Sequence, residues 1–368
     1  MKIETTVKQI FGIIDKAVRA TGKNLSLPVL SCVYMTVDKE NGMLKVKSTN
    51  LDIGLELSLK VKCEESGVVA VPAQVFLGFL SSIKNDSTLT LALNNGNLSV
   101  STKNNSSVIK CIPSEDFPEI PKVSSGKETT IKPKEFINGI KSVWYSASNS
   151  SIKPELSSVY IAPGEQELLF VSTDSFRLAE KKVHYKKPTD FQSILLPSKN
   201  IPDIIKIIES YDEEIKISFD KNQVSFTFTD GFLVSRIVEG SFPDYKQIIP
   251  KSSDTFVTVL KNDFVSTIRS AQVFSDAFNQ VRFKVNPKDR KFTIATKNND
   301  VGEYTEDVPA KIEGEEMEIS FNHKYILDCM QSIDSDSLEL KLSGAGKPMI
   351  IQGAGDKSFS YVVMPMNR

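Results

Sequence analysis

The sequence predicts an α+β protein of three repeated domains, in each of which two helices pack on antiparallel sheets. The first observation behind this fold class is that helix-like and strand-like segments recur in the same order three times along 368 residues. The second is that anchor residues keep one register, because Pro28 and Tyr34 reappear with the same separation as Pro154 and Tyr160. A fixed period of this kind is typical of a repeat architecture.

The first copy sets the pattern of elements. Residues 5–22 carry apolar side chains at helical spacing, and a second, shorter helix is expected at 74–83. The strands of this copy are alternating or apolar runs, expected at 27–35 (opened by Pro28), 43–48, 53–61, 68–72, 89–93, 98–102 and 107–112. Residues 94–97 (NNGN) predict a hairpin turn between two of these strands.

The other two copies repeat that order. The second has a helix at 136–147, a proline-opened strand at 153–161 and a short helix at 201–208. The third is assigned helices at 264–274 and 325–333, with strands at 281–285, 292–296, 338–342 and 349–352. Polar connectors separate the copies, so we expect domains at 1–126, 127–252 and 253–368.

The composition of the chain limits which kinds of function it can have. The chain has 45 basic and 46 acidic residues, which argues against nucleic-acid affinity built on bulk charge. The four cysteines are scattered without a CxxC pair, so neither a zinc site nor a disulfide framework is expected, and a reducing cytoplasm fits best. No segment predicts a membrane span or a signal peptide.

An enzyme is the first alternative, and the sequence offers little for it. His184 and His323 lie in different copies with no nucleophile motif nearby. Residues 344–347 (GAGK) lack the spacing of a phosphate-binding loop and are better explained as a hairpin turn. Asp334 and Asp336 have no further ligands at useful spacing. We therefore expect no catalysis, no cofactor and no metal.

Residues 173–179 (TDSFRLA) distinguish the second copy from the others. The first copy has NLDIG at 50–54 and the third has KNNDV at 297–301, where the second has DSFRL. Since structural demands are shared by all three copies, a departure in one of them suggests a local function. Packing plus a surface salt bridge is the alternative explanation of Phe176 and Arg177 and stays open here.

The whole chain resembles the bacterial DNA polymerase III β subunit family, the replicative sliding clamps. The resemblance is carried by the threefold repeat, residues 173–179, residues 239–245 (EGSFPDY) and the ending Met364-Pro365-Met366. It implies a head-to-tail homodimer that closes as a ring around double-stranded DNA, binding it independently of sequence. The ring would be loaded by a clamp loader and would tether replicative and repair DNA polymerases at high effective concentration.

The resemblance also implies three sets of site residues. The peptide-binding pocket would be lined by Leu156, Thr173, Ser175, Phe176, Arg177, Leu178, Pro243, Ile248, Pro348, Met349, Met364, Pro365 and Met366. The DNA-contacting residues would be Lys23, Asn24, Ser26, Asn149 and Lys199. The dimer interface would include Gln74, Lys103, Ser106, Ser107, Gln272, Val273, Phe274 and Glu303, with residues 298–306 as one strand.

The sequence departs from the family pattern at three places. The usual ending Met-Pro-Met-Arg-Leu is replaced by Met-Pro-Met followed by Asn367 and Arg368. Phe176 stands where the family often carries a ring that can hydrogen-bond, which predicts a drier pocket. Gln272 stands where a larger apolar residue would pack, which predicts a more polar interface. A scaffolding repeat protein with no DNA at its centre remains the second alternative.

Overall fold

Helix α1 (Val7–Arg19) shows how the local sequence determines an element. The side chain of Thr6 accepts a hydrogen bond from the Gln9 amide, which caps the helix N-terminus. One face of the helix is buried and contains Val7, Ile10, Ile13, Ile14 and Ala17.

The computed structural model describes residues 1–23, 26–83, 88–123, 128–186 and 191–366.

The remaining elements are short helices and antiparallel strands. The other helices are α2 (Ala73–Ser82), α3 (Pro133–Lys141), α4 (Ile201–Ile208), α5 (Lys261–Gln272) and α6 (His323–Cys329). The strands up to the middle of the chain are β1 (Lys2–Thr6), β2 (Cys32–Asp38), β3 (Met43–Thr49), β4 (Ile53–Lys60), β5 (Lys62–Glu65), β6 (Gly67–Pro72), β7 (Thr88–Asn94), β8 (Asn97–Ser101), β9 (Ser106–Ile109), β10 (Glu128–Ile131), β11 (Ser158–Pro163), β12 (Glu167–Thr173) and β13 (Arg177–His184). The later strands are β14 (Ile194–Pro197), β15 (Ile215–Phe219), β16 (Gln223–Thr227), β17 (Gly231–Arg236), β18 (Thr255–Leu260), β19 (Gln280–Asn286), β20 (Lys291–Asn298), β21 (Gly302–Val308), β22 (Ala310–Gly314), β23 (Met317–Asn322), β24 (Ser337–Leu342), β25 (Met349–Gly353) and β26 (Phe359–Val363).

The chain divides into two compact units. The first unit comprises Met1–Lys134 and Lys199–Ile237, and the second comprises Glu135–Ser198 and Val238–Arg368. Each unit therefore combines one end of the chain with part of its middle third. The expected domain boundaries after residues 126 and 252 stay a prediction.

The first unit contains two antiparallel sheets among its described residues. One has the order β5-β1-β7-β8-β9, and the other has the order β10-β15-β16-β17-β4-β3-β2-β6. In the second sheet, β17 pairs with β4, which places Val234 opposite Gly54. This pairing joins a strand from the second copy of the repeat to one from the first.

The second unit has the same plan in the part of it that the structure describes. Its larger sheet has the order β14-β11-β12-β13-β26-β25-β24-β18-β22, and its smaller sheet has the order β21-β20-β19-β23. Here β13 pairs with β26, which places Val362 opposite Leu178. A strand from the second copy again joins one from the third, so the predicted α+β class with antiparallel sheets is confirmed.

Several predicted elements are confirmed by the structure. Helix α4 has the predicted bounds. The turn at residues 94–97 places Asn95 and Gly96 in the left-handed region and pairs Asn94 with Asn97, as a two-residue hairpin requires. Residues 344–347 connect the antiparallel pair β24 and β25, which confirms the hairpin and leaves no phosphate-binding loop there.

Other predicted elements were wrong in extent. Pro28 starts a short 3-10 helix (Pro28–Ser31) rather than a strand, because proline suits the first turn of a helix. Pro154 likewise precedes β11 by a turn. The expected helix at 136–147 ends at Lys141 and is followed by a 3-10 turn (Trp144–Ser146). Residues 298–306 are the end of β20, a turn and the start of β21, not one strand.

Candidate functional site

The loop between β12 and β13 is fixed by its own polar side chains. The Thr173 hydroxyl donates to the Arg177 carbonyl at 2.6 Å and accepts from the Ser175 amide at 3.1 Å. Asp174 Oδ1 accepts from the amides of Phe176 (2.9 Å) and Arg177 (3.0 Å). Ser175 takes a φ of 79°, which turns the chain back on itself. Because the backbone is held in this way, Phe176 projects outwards with 61% of its surface exposed.

The side chain of Arg177 holds this loop in place through its hydrogen bonds. Its guanidinium donates to Asp174 Oδ2 at 3.0 Å, to Asp328 and to the Tyr145 carbonyl at 2.8 Å. It also lies 4.5 Å from the centre of the Tyr325 ring. Since only 11% of the Arg177 side chain is exposed, its main effect is to position the loop.

The charge of Arg177 is retained in this half-buried place. Burial opposes the charged form, but Tyr361, Asp328 and Asp174 outweigh it and raise the pKa of Arg177 above its usual value. The guanidinium therefore stays charged at any pH of interest, and its hydrogen bonds persist with it.

An apolar floor lies beside the loop. Leu178, Tyr245, Ile350 and Val362 are buried together, and Phe242 packs against them. The Tyr245 hydroxyl donates to Glu180 Oε2 at 2.6 Å. Burial, followed by this bond to the carboxylate, raises the pKa of Tyr245, so the hydroxyl remains a donor. The buried floor is thus apolar, and the Tyr245 hydroxyl within it has a hydrogen-bond acceptor.

The end of the chain forms the opposite wall. Val363 ends β26, paired with both Arg177 and Met349. The amide of Met364 then donates to the Phe176 carbonyl at 2.8 Å, and that of Met366 donates to the Ser320 carbonyl at 2.8 Å. Backbone hydrogen bonds therefore hold Met364 beside Phe176 and Met366 beside Ser320, and methionine thioethers are flexible enough to adapt to a ligand.

The predicted pocket residues differ in how far they are exposed to solvent. Ser175, Phe176, Pro243 and Ile248 are exposed, and Arg177, Pro348, Met364, Pro365 and Met366 are half-buried. Leu156, Thr173, Leu178 and Met349 are buried and serve as support. Backbone hydrogen bonds and strand pairing bring Phe176, Leu178, Met349 and Met364 together, whereas the Leu156 carbonyl accepts a hydrogen bond from the Ser148 amide.

Sequence reasoning missed several residues of this site. Tyr245, Ile350 and Val362 belong to the floor, and Asp174 and Asp328 hold Arg177. The role of Asp174 could have been predicted from the sequence, because an Asp at the end of a strand readily caps a tight turn. Asp328 comes from a distant helix, and nothing in the sequence pairs it with Arg177.

The predicted DNA-contacting residues lie at the surface of their units. Lys23 and Ser26 are exposed in the first unit, and Asn149 is exposed in the second. Lys199 precedes α4, and its Nζ lies 2.6 Å from Asp52 Oδ2. Asn24 falls outside the residues that the structure describes, as do Asn367 and Arg368.

The predicted dimer residues follow two edge strands. Lys103, Ser106 and Ser107 lie in or before β9, which ends one sheet of the first unit, and Glu303 lies in β21, which ends one sheet of the second. Gln74 and Gln272 are exposed, and Phe274 stacks on Tyr304 with ring centres 6.0 Å apart. Two exposed apolar residues lie at these edges, Val108 within β9 and Val301 just before β21.

Metal clusters and membrane-spanning helices are both absent from the residues that the structure describes. No group of three or more His, Cys, Asp or Glu is arranged to hold a metal ion within the described ranges. Among the same residues, no helix combines the length and apolar character needed to cross a bilayer.

Comparison with known proteins identifies the family. Family models for the N-terminal, central and C-terminal domains of the DNA polymerase III beta subunit match residues 1–121, 130–244 and 246–367. The chain belongs to the DNA polymerase III beta subunit family. It is therefore a sliding clamp, the non-catalytic processivity factor of a DNA polymerase, and its three domains are those of that family.

Individual relatives agree over the full length of the chain. The beta sliding clamp of Synechococcus elongatus is 26% identical over 371 residues, covering 100% of this chain and 99% of the relative. The beta subunit structure from Thermotoga maritima has a TM-score of 0.93 at 24% identity, covering 100% of this chain and 99% of that one. The Pseudomonas aeruginosa beta subunit also gives 0.93, at 21% identity with both chains fully covered. These structural matches show the fold.

Proposed function

We propose that the cleft beside Phe176 is the recruitment site of this clamp. It would bind short linear peptides of replicative and repair DNA polymerases and of the clamp loader. The observation that carries the proposal is the exposed Phe176 ring, which is held rigidly by the Asp174 turn and lies next to the Met364 segment. An apolar cleft with adaptable methionines suits several partners that share one hydrophobic anchor.

The chemistry of the cleft indicates what such a peptide should carry. Its floor is apolar, and Tyr245, the phenol within it, already has an acceptor. Arg177 is saturated by carboxylates and a carbonyl, so it offers little to an acidic peptide. We therefore expect the affinity to come from apolar side chains inserted between Phe176 and Met364. Solved relatives from Pseudomonas aeruginosa and Bartonella birtlesii bound griselimycin, which agrees with a ligand site in this family.

The same proposal places two copies head to tail around duplex DNA. Pairing of β9 from one copy with β21 of the other would cover both edge strands and the exposed Val108 and Val301. Lys23, Ser26, Asn149 and Lys199 would contact the phosphates weakly and without sequence preference, which permits sliding. The scattered, unpaired cysteines of such a ring suit a reducing cytoplasm.

Removal of the last segment tests the recruitment site. Deletion of residues 364–368 should abolish binding of a polymerase-derived peptide, measured by fluorescence anisotropy, because one wall of the cleft is lost. The dimer should persist in analytical ultracentrifugation, since β9 and β21 are untouched. Unchanged peptide affinity in this truncated chain would refute the site.

The ring itself requires a topological test. The protein is loaded by its loader on a nicked circular DNA, and the DNA is then linearised. A ring that encircles DNA slides off the free ends, whereas a scaffold that binds the DNA surface stays attached.

A further inference from the structure

A second hollow lies in the first unit, at the position that corresponds to the recruitment cleft of the second. It has a volume of about 100 Å³. It is lined by the loop at residues 49–54, by Pro118 and Pro121, and by Gln223, Val234 and Arg236. All of these residues belong to the first unit.

The correspondence holds for backbone hydrogen bonds. In the first unit the Arg236 amide donates to the Asp52 carbonyl at 2.9 Å, and in the second the Met364 amide donates to the Phe176 carbonyl at 2.8 Å. The neighbouring pairs also agree, because Gly54 faces Val234 as Leu178 faces Val362. The same backbone frame thus surrounds both places.

The side chains in the first unit give a different chemistry. Asp52 takes the place of Phe176, and its carboxylate is paired with Lys199 at 2.6 Å. Arg236 takes the place of Met364 and is exposed. No carboxylate of the described residues lies within ion-pair distance of its guanidinium, so Arg236 can receive an anion.

The side chain of Gln223 is a second, independent observation that points to a ligand. Its side-chain oxygen Oε1 is buried and accepts no hydrogen bond from any described residue. A buried acceptor without a donor is unfavourable, so this position favours a ligand that brings an N–H group. Gln223 lines the same hollow as Arg236 and pairs with it across β16 and β17.

The walls and the volume limit what can enter. Leu51, Pro118, Pro121 and Val234 provide apolar surface, and Leu51 is 43% exposed at the mouth. A hollow of about 100 Å³ with these walls is small, so it suits a single aliphatic side chain better than a longer stretch of peptide.

We propose that this hollow is a second peptide-binding site, specific for a carboxyl-terminal aliphatic residue such as leucine. The aliphatic side chain fills the hollow, the terminal carboxylate pairs with Arg236, and the amide N–H of the same residue donates to Gln223 Oε1. All three groups occur together only at the end of a peptide. The proposal does not depend on what the second unit binds.

Two matched peptides test it on the full chain. Acetyl-Gly-Ala-Leu with a free carboxylate is compared with its carboxyl-terminal amide by ligand-observed NMR titration. We expect the acid to bind about tenfold more tightly than the amide, because a hydrogen bond to a charged group outweighs one to a neutral group. Arg236→Gln should remove this ratio, and because both peptides are measured on one preparation, a change in stability does not mimic the effect.

Further variants locate the binding. Gln223→Leu should weaken both peptides by a similar factor, since the lost acceptor serves the amide N–H of each. Phe176→Ala should leave the acid's affinity unchanged, because it lies in the other unit's cleft. The proposal is overturned if the acid does not bind, if Arg236→Gln leaves the acid-to-amide ratio intact, or if Phe176→Ala abolishes acid binding.

Discussion

The loop at residues 49–53 in the first copy of the repeat and the loop at residues 173–177 in the second are the same structure with different side chains. In the first loop the Thr49 hydroxyl donates to the Ile53 carbonyl at 2.7 Å, as Thr173 does to Arg177 at 2.6 Å. Asn50 Oδ1 accepts from the amides two and three residues further along the chain, as Asp174 Oδ1 does. Leu51 and Ser175 share the left-handed backbone, with φ values of 76° and 79°.

The third copy lacks this loop. Strand β20 continues to Asn298, and the turn that follows has Gly302, at a φ of 129°, as its left-handed residue. The comparison shows that the polar residues of the first two loops maintain a shared frame. The two frames present different residues, Phe176 and Leu178 in one case and Asp52 and Gly54 in the other, and we propose that the two sites differ in function for this reason.

Arg177 should matter most to stability among these positions. Arg177→Met removes the guanidinium donor from Oδ2 of the half-buried Asp174 and from the Tyr145 carbonyl, and we expect a loss of about 3 kcal/mol in the local free energy of unfolding. Asp328 adds little to this loss, because its side chain is 45% exposed. Hydrogen exchange of the segment at 160–185, followed by mass spectrometry, measures the change.

Ile53→Met is the matched control for Arg177→Met, since it changes the corresponding residue of the first loop. It conserves apolar volume and should cost less than about 1.5 kcal/mol. Equal losses for the two variants would mean that Arg177 contributes packing only and that its ion pairs do not hold the loop.

Gly54 should not tolerate a side chain. A Cβ there would lie 2.7 Å from Ile120 Cγ2 and 3.2 Å from Val234 Cγ1, so Gly54→Ala should destabilise the first unit by about 1–3 kcal/mol. Gly12→Ala in α1 is the control with the opposite sign. Its Cβ meets nothing within 4 Å, and alanine favours a helix by about 0.5–1 kcal/mol. Denaturant midpoints of the two variants that move in the same direction would contradict the packing of Gly54.

The smallest effect is expected for Asn50→Asp, which gives the first loop the residue of the second. Oδ1 remains an acceptor for the Asp52 and Ile53 amides, so the free energy of unfolding should change by less than about 0.5 kcal/mol. Asn50→Ala removes the acceptor and should cost more, about 1–2 kcal/mol. If the two variants unfold at the same denaturant concentration, the frame does not depend on this hydrogen-bonding pattern.

The sequence predicted the repeat and the fold class, because period and anchor residues are local information. The lining of the cleft was implied by the family resemblance and stays a prediction. It did not predict that strands of adjacent copies pair, as β17 does with β4 and β13 with β26. Those pairings bring Val362 to Leu178 and Arg236 to Asp52, and they depend on the three-dimensional arrangement. The hollow of the first unit therefore could not be predicted from the sequence, because strand pairing brings its residues together.

The most direct test of the central claim is a titration of one fluorescent polymerase-derived peptide against Phe176→Ala and Asp52→Ala. Phe176 is 61% exposed, so its removal should leave the fold intact and weaken the peptide by about thirtyfold or more, as expected for a hot-spot residue. Asp52→Ala alters the corresponding residue of the other loop and should leave the affinity within a factor of two. Equal affinities for the two variants would contradict the assignment of recruitment to the second copy.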